Sequence, residues 1–323
     1  MRAAFLSRHL LVVDEVHASD PYMASLTRGL IERHLALGGR ALAMSAALGE
    51  TALAILMDRE RRSFDEAVAS PFEQAASRAR NAAANQQSVL WIRSTVSDAI
   101  ADFQSFNASG VKSLLHHSRY AVQDRSWLDE QLLSIFGLNG NRGGVIAVTT
   151  QTAEQSLDID ADLLITDACP ADVLLQRLGR LHRHRVGTRP TAVVIDPGGL
   201  DRYLQPRGKV VGYLRQGWAW VYNNLLSVRA TLDWLSSSRR ISIPEDCRLL
   251  VERATHADYL RELAGSLGDS WTDLWRNLFD DAAMKAQLAW ASLWSMSGCR
   301  PAGRRNDYSN SQKSRFPIYR PKN

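Results

Sequence analysis

A chain of 323 residues, 45% hydrophobic and 23% charged, can bury a sizeable core and is expected to hold two or three domains, which excludes wholesale disorder. No run approaches the roughly 18 apolar residues of a membrane span, and the opening "MRAAFLSRHLLVVDEVH" lacks the long apolar core of a signal peptide, so a cytoplasmic protein with no membrane partner is expected. The net charge of +5 resides in Gly298 to Asn323, which carries seven basic residues and one acid and leaves 32 basic against 33 acidic residues elsewhere, so overall charge says nothing about the body of the protein.

In chain order, "LLVVD" reads as a buried strand, residues 22 to 37 as a helix stopped by Gly38-Gly39, and "RALAMS" as a second strand. From Ala67 to Gln87 the composition shifts to Ala, Arg, Gln and Asn, which reads as a helix or connector between two units. A second series follows: "SVLWI" as strand, Val96 to Phe106 as helix, "VKSLLHH" as strand, and a helix from Asp124 to Phe136 capped by Gly137. "GVIAVTT" and "ADLLITD" are two further strands, a helix opens near Pro170 through "ADVLLQRLGRL", and "TAVVID" closes the series. Strands alternating with helices predict an α/β protein with parallel sheets. Beyond Leu200 the pattern turns mainly helical and holds seven of the nine tryptophans; Trp271/Trp275 and Trp290/Trp294 each share a helix face and read as core rather than as a base-stacking platform. Cys169, Cys247 and Cys299 are odd in number, far apart and in no metal-ligand spacing, so reduced buried thiols are expected.

Three polar constellations interrupt this pattern. Asp14 and Glu15 follow an apolar run, at the strand edge where α/β sheets bind ligands. There Asp14 can hold Mg²⁺ and Glu15 can orient an attacking water, although a surface acidic pair explains four letters equally well. "QRLGRLHRH" places Arg180 and Arg183 three apart, so that one helical turn presents two guanidinium forks to a polyphosphate, or simply decorates a helix C-terminus with cations. Between them, Thr150, Gln151, Glu154, Gln155, Ser156 and Asp158 crowd a strand-to-loop edge, suited to a nucleic-acid backbone or a ribose, or to solvent alone.

DEVH, the "SAA" of Ser45, Ala46 and Ala47, "TAEQSLDIDADLLITD" and Q-x-x-G-R-x-x-R come in the order found in superfamily 2 helicases. Over residues 9 to 198 the strings "VVDEVHASDPYM", "LLHHSRY" and the stretch ending "LLQRLGRLHRH" resemble the CRISPR-associated helicase–nuclease of type I systems. The resemblance implies the end of a first RecA-like domain (1–85), a complete second one (86–198), a helical accessory region (199–297) and a basic, flexible tail (298–323). It implies Asp14 as the magnesium-binding acid, Glu15 as the residue that activates water, and His17 as the link to the nucleic-acid side. Ser45, Ala46 and Ala47 would couple hydrolysis to unwinding. Thr150 and Gln151 would touch nucleic acid or the domain interface. Asp158 would meet the ATP ribose, Gln176 and Gly179 the nucleotide, and Arg180 and Arg183 would serve as arginine fingers. ATP and Mg²⁺ are the implied cofactors. Single-stranded DNA and an RNA-guided CRISPR surveillance complex are the implied partners, in defence against foreign DNA.

The chain departs from that pattern in three places. The phosphate-binding loop G-x-x-x-x-G-K-[ST] does not occur, no histidine is followed by the aspartate of the family's nuclease signature, and Ala47 stands where the family has threonine. The expectation is therefore a C-terminal helicase portion, inactive as an ATPase without a separate chain supplying that loop and the nuclease domain. The alternatives are a non-catalytic DNA- or complex-binding module, or another superfamily 2 translocase. With a strand missing from its first sheet, residues 1 to 60 are expected to be less well folded than 86 to 198.

Overall fold

The computed structural model describes residues 9–14, 21–44, 62–64, 66–154, 157–184, 190–211, 221–238, 240–243 and 245–297. Six central strands are β4 (Glu66–Ser70), β5 (Val89–Ile92), β6 (Ser113–His116), β7 (Ile146–Thr149), β8 (Leu163–Asp167) and β9 (Thr191–Ile195). They form one all-parallel sheet in the order β4-β9-β8-β5-β7-β6. All residues of β5, β7 and β8 are buried, as expected of a parallel sheet covered on both faces, which explains why these strands are apolar apart from Thr149, Thr166 and Asp167 at their carboxyl ends.

Alternation along β5 divides the core. Val89 and Trp91 face the helices α2 (Phe72–Ala84) and α3 (Val96–Ala108), packing on Ala75, Ala79, Ala99 and Phe106. Phe72 and Phe106 meet Trp91 edge to face, with ring centroids 5.7 and 5.1 Å away, and the Trp91 Nε1 donates to Asp102 at 2.8 Å. Leu90 and Ile92 face the other way, towards α4 (Val122–Phe136) and α5 (Ala171–Leu178).

The segment read as a helix or connector holds both a strand and a helix. Glu66–Ser70 pairs with β9 as the edge of the central sheet, so this sheet begins upstream of residue 86. The five-residue run "EAVAS" is too short, and too close to an alanine-rich helix, to be separated by periodicity. Gly137 ends α4 as expected, yet with φ −68° it is not left-handed; a Cβ there would run into the Leu133 carbonyl oxygen, so close approach is what requires glycine.

The helices beyond residue 200 complete the same core. They are α6 (Leu225–Ser237), α7 (Cys247–Thr255), α8 (Ala257–Leu267) and α9 (Asp269–Ser297). Leu225, Leu226, Val228 and Trp234 join Leu174, Leu175 and Leu178 of α5 in one continuous apolar cluster, so α5 lies between the sheet and the helical region. Trp271 is buried and donates to Asp201 at 2.8 Å, while Trp275 donates to the Ala257 carbonyl at 3.1 Å, in line with the core reading of that pair. Trp218 and Trp220, and the side chains of Trp290 and Trp294, lie outside the described residues. Cys169 and Cys247 are buried free thiols, pushed by burial up to about 12 and about 11.

Upstream, β1 (Leu10–Val13) and β2 (Arg40–Ala43) form a separate two-stranded parallel sheet, joined by α1 (Pro21–Ala36), which packs along α9. Leu10, Val12 and Leu42 are exposed on it. The strand β3 (Arg62–Phe64) pairs antiparallel with β12 (Ile241–Ile243), and β10 (Leu204–Gln205) with β11 (Lys209–Val210). No described helix is long and apolar enough to cross a membrane.

A polar edge on the second sheet

The carboxyl ends of β5, β7 and β8 gather one set of polar groups. Past β5, Arg93 faces three carboxylates: Asp167 and Asp102 at 3.3 Å each and Asp98 at 3.6 Å. Burial works against the charge on Arg93, but these carboxylates outweigh it and hold its pKa above the usual value. Burial pushes Asp102 up to about 6 and Asp167 upward, partly opposed by Arg93. Ser94 donates its backbone N–H to Asp167 at 2.7 Å, and Thr95 caps α3 by accepting from the Asp98 amide.

Thr150 and Gln151, past β7, sit beside this cluster. The Thr150 amide donates to the His116 carbonyl at 3.3 Å, and Gln151 Nε2 donates to the Ser94 carbonyl at 3.0 Å, tying the β7 turn to the β5 end. His116 is buried between Thr152, 2.8 Å from its Nδ1, and Asp129, 2.7 Å from its Nε2. Burial lowers the pKa of the neighbouring His117, which stacks on Tyr120.

The loop from Glu154 to Asp160 is held from below by the residues that follow α5. Arg180 donates from Nη2 to the Glu154 carbonyl at 2.6 Å and from Nη1 to the Leu157 carbonyl at 2.7 Å. Half-buried Arg183 pairs with exposed Asp158 at 2.7 Å, and His184 Nε2 lies 3.2 Å from the same carboxylate. Gly179 ends α5, and a Cβ there would press on the Gln176 carbonyl at 3.2 Å; Gln176 lies on the last turn of that helix. Thus Asp158 meets Arg183 across two segments, the one before β8 and the one after α5 that also carries Arg180; Thr150 and Gln151 stand on the adjacent strand end, and Asp14 is exposed at the end of β1 in the other sheet. Glu15, His17, Ser45, Ala46 and Ala47 lie outside the described residues.

Among the buried charges of the described residues that escaped the sequence reading, besides Asp102 and Asp167, are Asp160 and Arg177. Asp160, fully buried, accepts from Arg142 Nη2 at 2.8 Å and from the Arg183 backbone at 2.9 Å. Arg177, also fully buried, donates to Glu154, Thr166 and Tyr222. A signal for Arg177 existed: it occupies the same helix face as Leu174 and Leu178, where an apolar residue is expected. Asp160 alternates with nothing polar that distinguishes it from exposed Asp158.

An all-parallel sheet with helices on both faces and a polar carboxyl edge is the architecture of a RecA-like α/β domain. Residues 85–186 match the family model described as CRISPR-associated nuclease/helicase Cas3, C-terminal. The chain is 31% identical over 243 residues to the CRISPR-associated endonuclease/helicase Cas3 of Escherichia coli K12, an alignment covering 60% of this chain and 27% of that protein. It is 38% identical over 149 residues to the Thermus thermophilus protein of that name, covering 44% and 15%. The crystal structure of T. fusca Cas3 superposes with a TM-score of 0.71 at 22% identity over 88% of this chain and 38% of that one, a likeness of fold. The chain is thus similar, over residues 85–186, to the C-terminal part of Cas3 nuclease/helicases, and its match spans about a quarter of the length of the E. coli protein.

Proposed function

We propose that this chain acts as the C-terminal portion of a CRISPR-associated, ATP-dependent DNA helicase engaged in defence against foreign DNA. The observation that carries the reading is the meeting of Asp158 with the segment after α5 that carries Arg180 and Arg183, beside Thr150 and Gln151, within the stretch matched by the Cas3 family model. Support also comes from relatives named as Cas3 endonuclease/helicases, from T. fusca Cas3 structures with ATP, AMPPNP and ADP, and from a similar chain in an RNA-guided surveillance complex.

The residues differ in how well they fit ATP. Asp158 is exposed and Arg183, paired with it, is half-buried, so a carboxylate for ribose and a guanidinium for phosphate both reach solvent. Arg180 is engaged with two backbone carbonyls, so in this conformation it shapes the loop, and a finger role requires it to exchange those partners. Asp14 is an exposed carboxylate of the kind that holds Mg²⁺ together with phosphate oxygens; Glu15 and His17 belong to the same reading, as do Ser45, Ala46 and Ala47 in coupling. When bound, Mg²⁺–ATP supplies the phosphoanhydride and its charge neutralisation. Gln176 and Gly179 line the nucleotide side, while Thr150 and Gln151 touch single-stranded DNA. The surveillance complex is the partner, the cytoplasm the compartment, and ATP turnover needs a phosphate-binding loop of the G-x-x-x-x-G-K-[ST] type, which these 323 residues do not contain.

Fluorescence anisotropy with a labelled single-stranded oligonucleotide tests the reading. Binding is expected to weaken with rising salt and to fall at least several-fold in a Thr150→Ala/Gln151→Ala variant that melts like the parent. Undiminished binding by that variant contradicts the placement of DNA at this edge.

A further inference from the structure

Arg177 is the most completely used side chain in the core of the described residues. Its Nε donates to Glu154 at 2.7 Å, Nη1 to the Thr166 hydroxyl at 2.5 Å, and Nη2 to the Tyr222 hydroxyl at 2.7 Å while lying 2.6 Å from the Glu154 carboxylate. These partners come from three different parts of the chain: the loop after β7, the end of β8, and the segment leading into α6 of the helical region. A planar guanidinium can bridge three such groups at fixed angles, which neither lysine nor an apolar residue can do.

Glu154 is also the residue whose backbone carbonyl receives Arg180 at 2.6 Å. Tyr222 is therefore connected to the loop that ends in Asp158 through one arginine and one glutamate. The apolar surroundings leave the link few alternatives: Leu174 and Leu178 of α5 pack in one cluster with Leu225 and Leu226 of α6, directly beside Arg177 and Tyr222. Low local dielectric strengthens a fully paired network and makes a stranded member costly, so the loop and the helical region are stable in this geometry together rather than separately.

We propose that Arg177 is a positioning residue and Tyr222 its sensor, so that the placement of Glu154, Leu157 and Asp158 depends on the docking of the helical region onto α5. The functional meaning rests on the reading of that loop as the nucleotide side of a helicase. Through it, a partner or DNA strand that shifts the helical region alters the seating of Arg180 and Asp158 without touching either.

Hydrogen–deuterium exchange of the full 323-residue chain tests the link itself and is indifferent to whether the loop meets nucleotide. Tyr222→Phe removes one hydroxyl. The expected result is roughly tenfold faster exchange in the amides of Thr152, Ala153, Glu154, Leu157 and Asp158, the order expected for losing a hydrogen bond to a charged group, with β5 and β7 amides unchanged. Arg177→Lys keeps the charge but not the fork and is expected to loosen the same loop, whereas Tyr259→Phe on α8 is not. Unchanged exchange at those five amides in Tyr222→Phe overturns the proposal. So does faster exchange spread over the whole sheet, which makes the contact a general stabiliser, and so does full protection in Arg177→Lys. Failure of the DNA-binding test with these exchange results intact would remove DNA from this edge and leave the link standing.

Discussion

Replacing Arg177 by methionine is expected to destabilise the six-stranded body by about 3–5 kcal/mol, the range for stranding one partner of a buried ion pair. Methionine occupies similar volume, so cavity terms are small and the loss is polar. Glu154, with a side chain only 9% exposed, loses both nitrogens that face it. The Tyr222 hydroxyl loses its donor, worth about 1 kcal/mol, while Thr166 still donates to the Asp167 carbonyl at 3.1 Å. The stranded carboxylate therefore dominates. For a cooperative body of 150 to 250 residues, 1 kcal/mol corresponds to about 2–4 °C, so a fall in Tm of about 6–20 °C follows in a thermal melt followed by circular dichroism. The companion variant Arg177→Met/Glu154→Gln removes the uncompensated charge and is expected to regain a substantial part of that loss. A single-variant fall under about 3 °C, or a double variant no more stable than the single, would refute the electrostatic reasoning.

Two further predictions come from other parts of the fold. Asp102 is pushed up to about 6 from 3.8, mainly by burial, so its protonated form favours the folded state; that contribution is complete below 3.8 and lost as pH rises through about 6. The stability of the parent relative to Asp102→Asn should thus fall between these pH values in urea titrations, and a gap that is flat or grows with pH contradicts the assignment. Gly208 has φ +67° and a Cβ there would collide with the Leu274 backbone of α9, so Gly208→Ala is expected to cost about 1–3 kcal/mol and loosen α9 by hydrogen exchange. A neutral Gly208→Ala would show that β10, β11 and α9 are not packed as described.

How much of this was legible before folding follows the burial of each residue. The strands β5, β7, β8 and β9 announce themselves because parallel strands covered on both faces are largely apolar, and "VLWI", "IAVT", "LLITD" and "TAVVI" depart from that only at Thr149, Thr166, Asp167 and Thr191, towards the strand ends. The edge strand β4 escaped because "EAVAS" carries a weak version of that signal. The grouping of Asp158, Arg180 and Arg183 was implied by motif order, but the engagement of Arg180 with the Glu154 and Leu157 carbonyls was not, since loop carbonyls have no sequence signature. Arg177 and Asp160 stayed hidden for a related reason: a charge survives burial only through partners far along the chain, such as Tyr222 and Arg142, whose proximity is set by the finished fold. The packing of α1 along α9 has no local signature at all.

The most direct test of the helicase reading is a graft. Residues 66–198, which include the edge strand β4 and helix α2, replace the matching segment of the E. coli K12 relative, and single-stranded-DNA-stimulated ATP hydrolysis is measured with and without Arg183→Ala. The account predicts a folded chimera that turns over ATP and loses about 10³-fold or more in kcat on Arg183→Ala, the scale of an arginine finger in phosphoryl transfer. A folded chimera that hydrolyses no ATP, or one indifferent to Arg183→Ala, would contradict it.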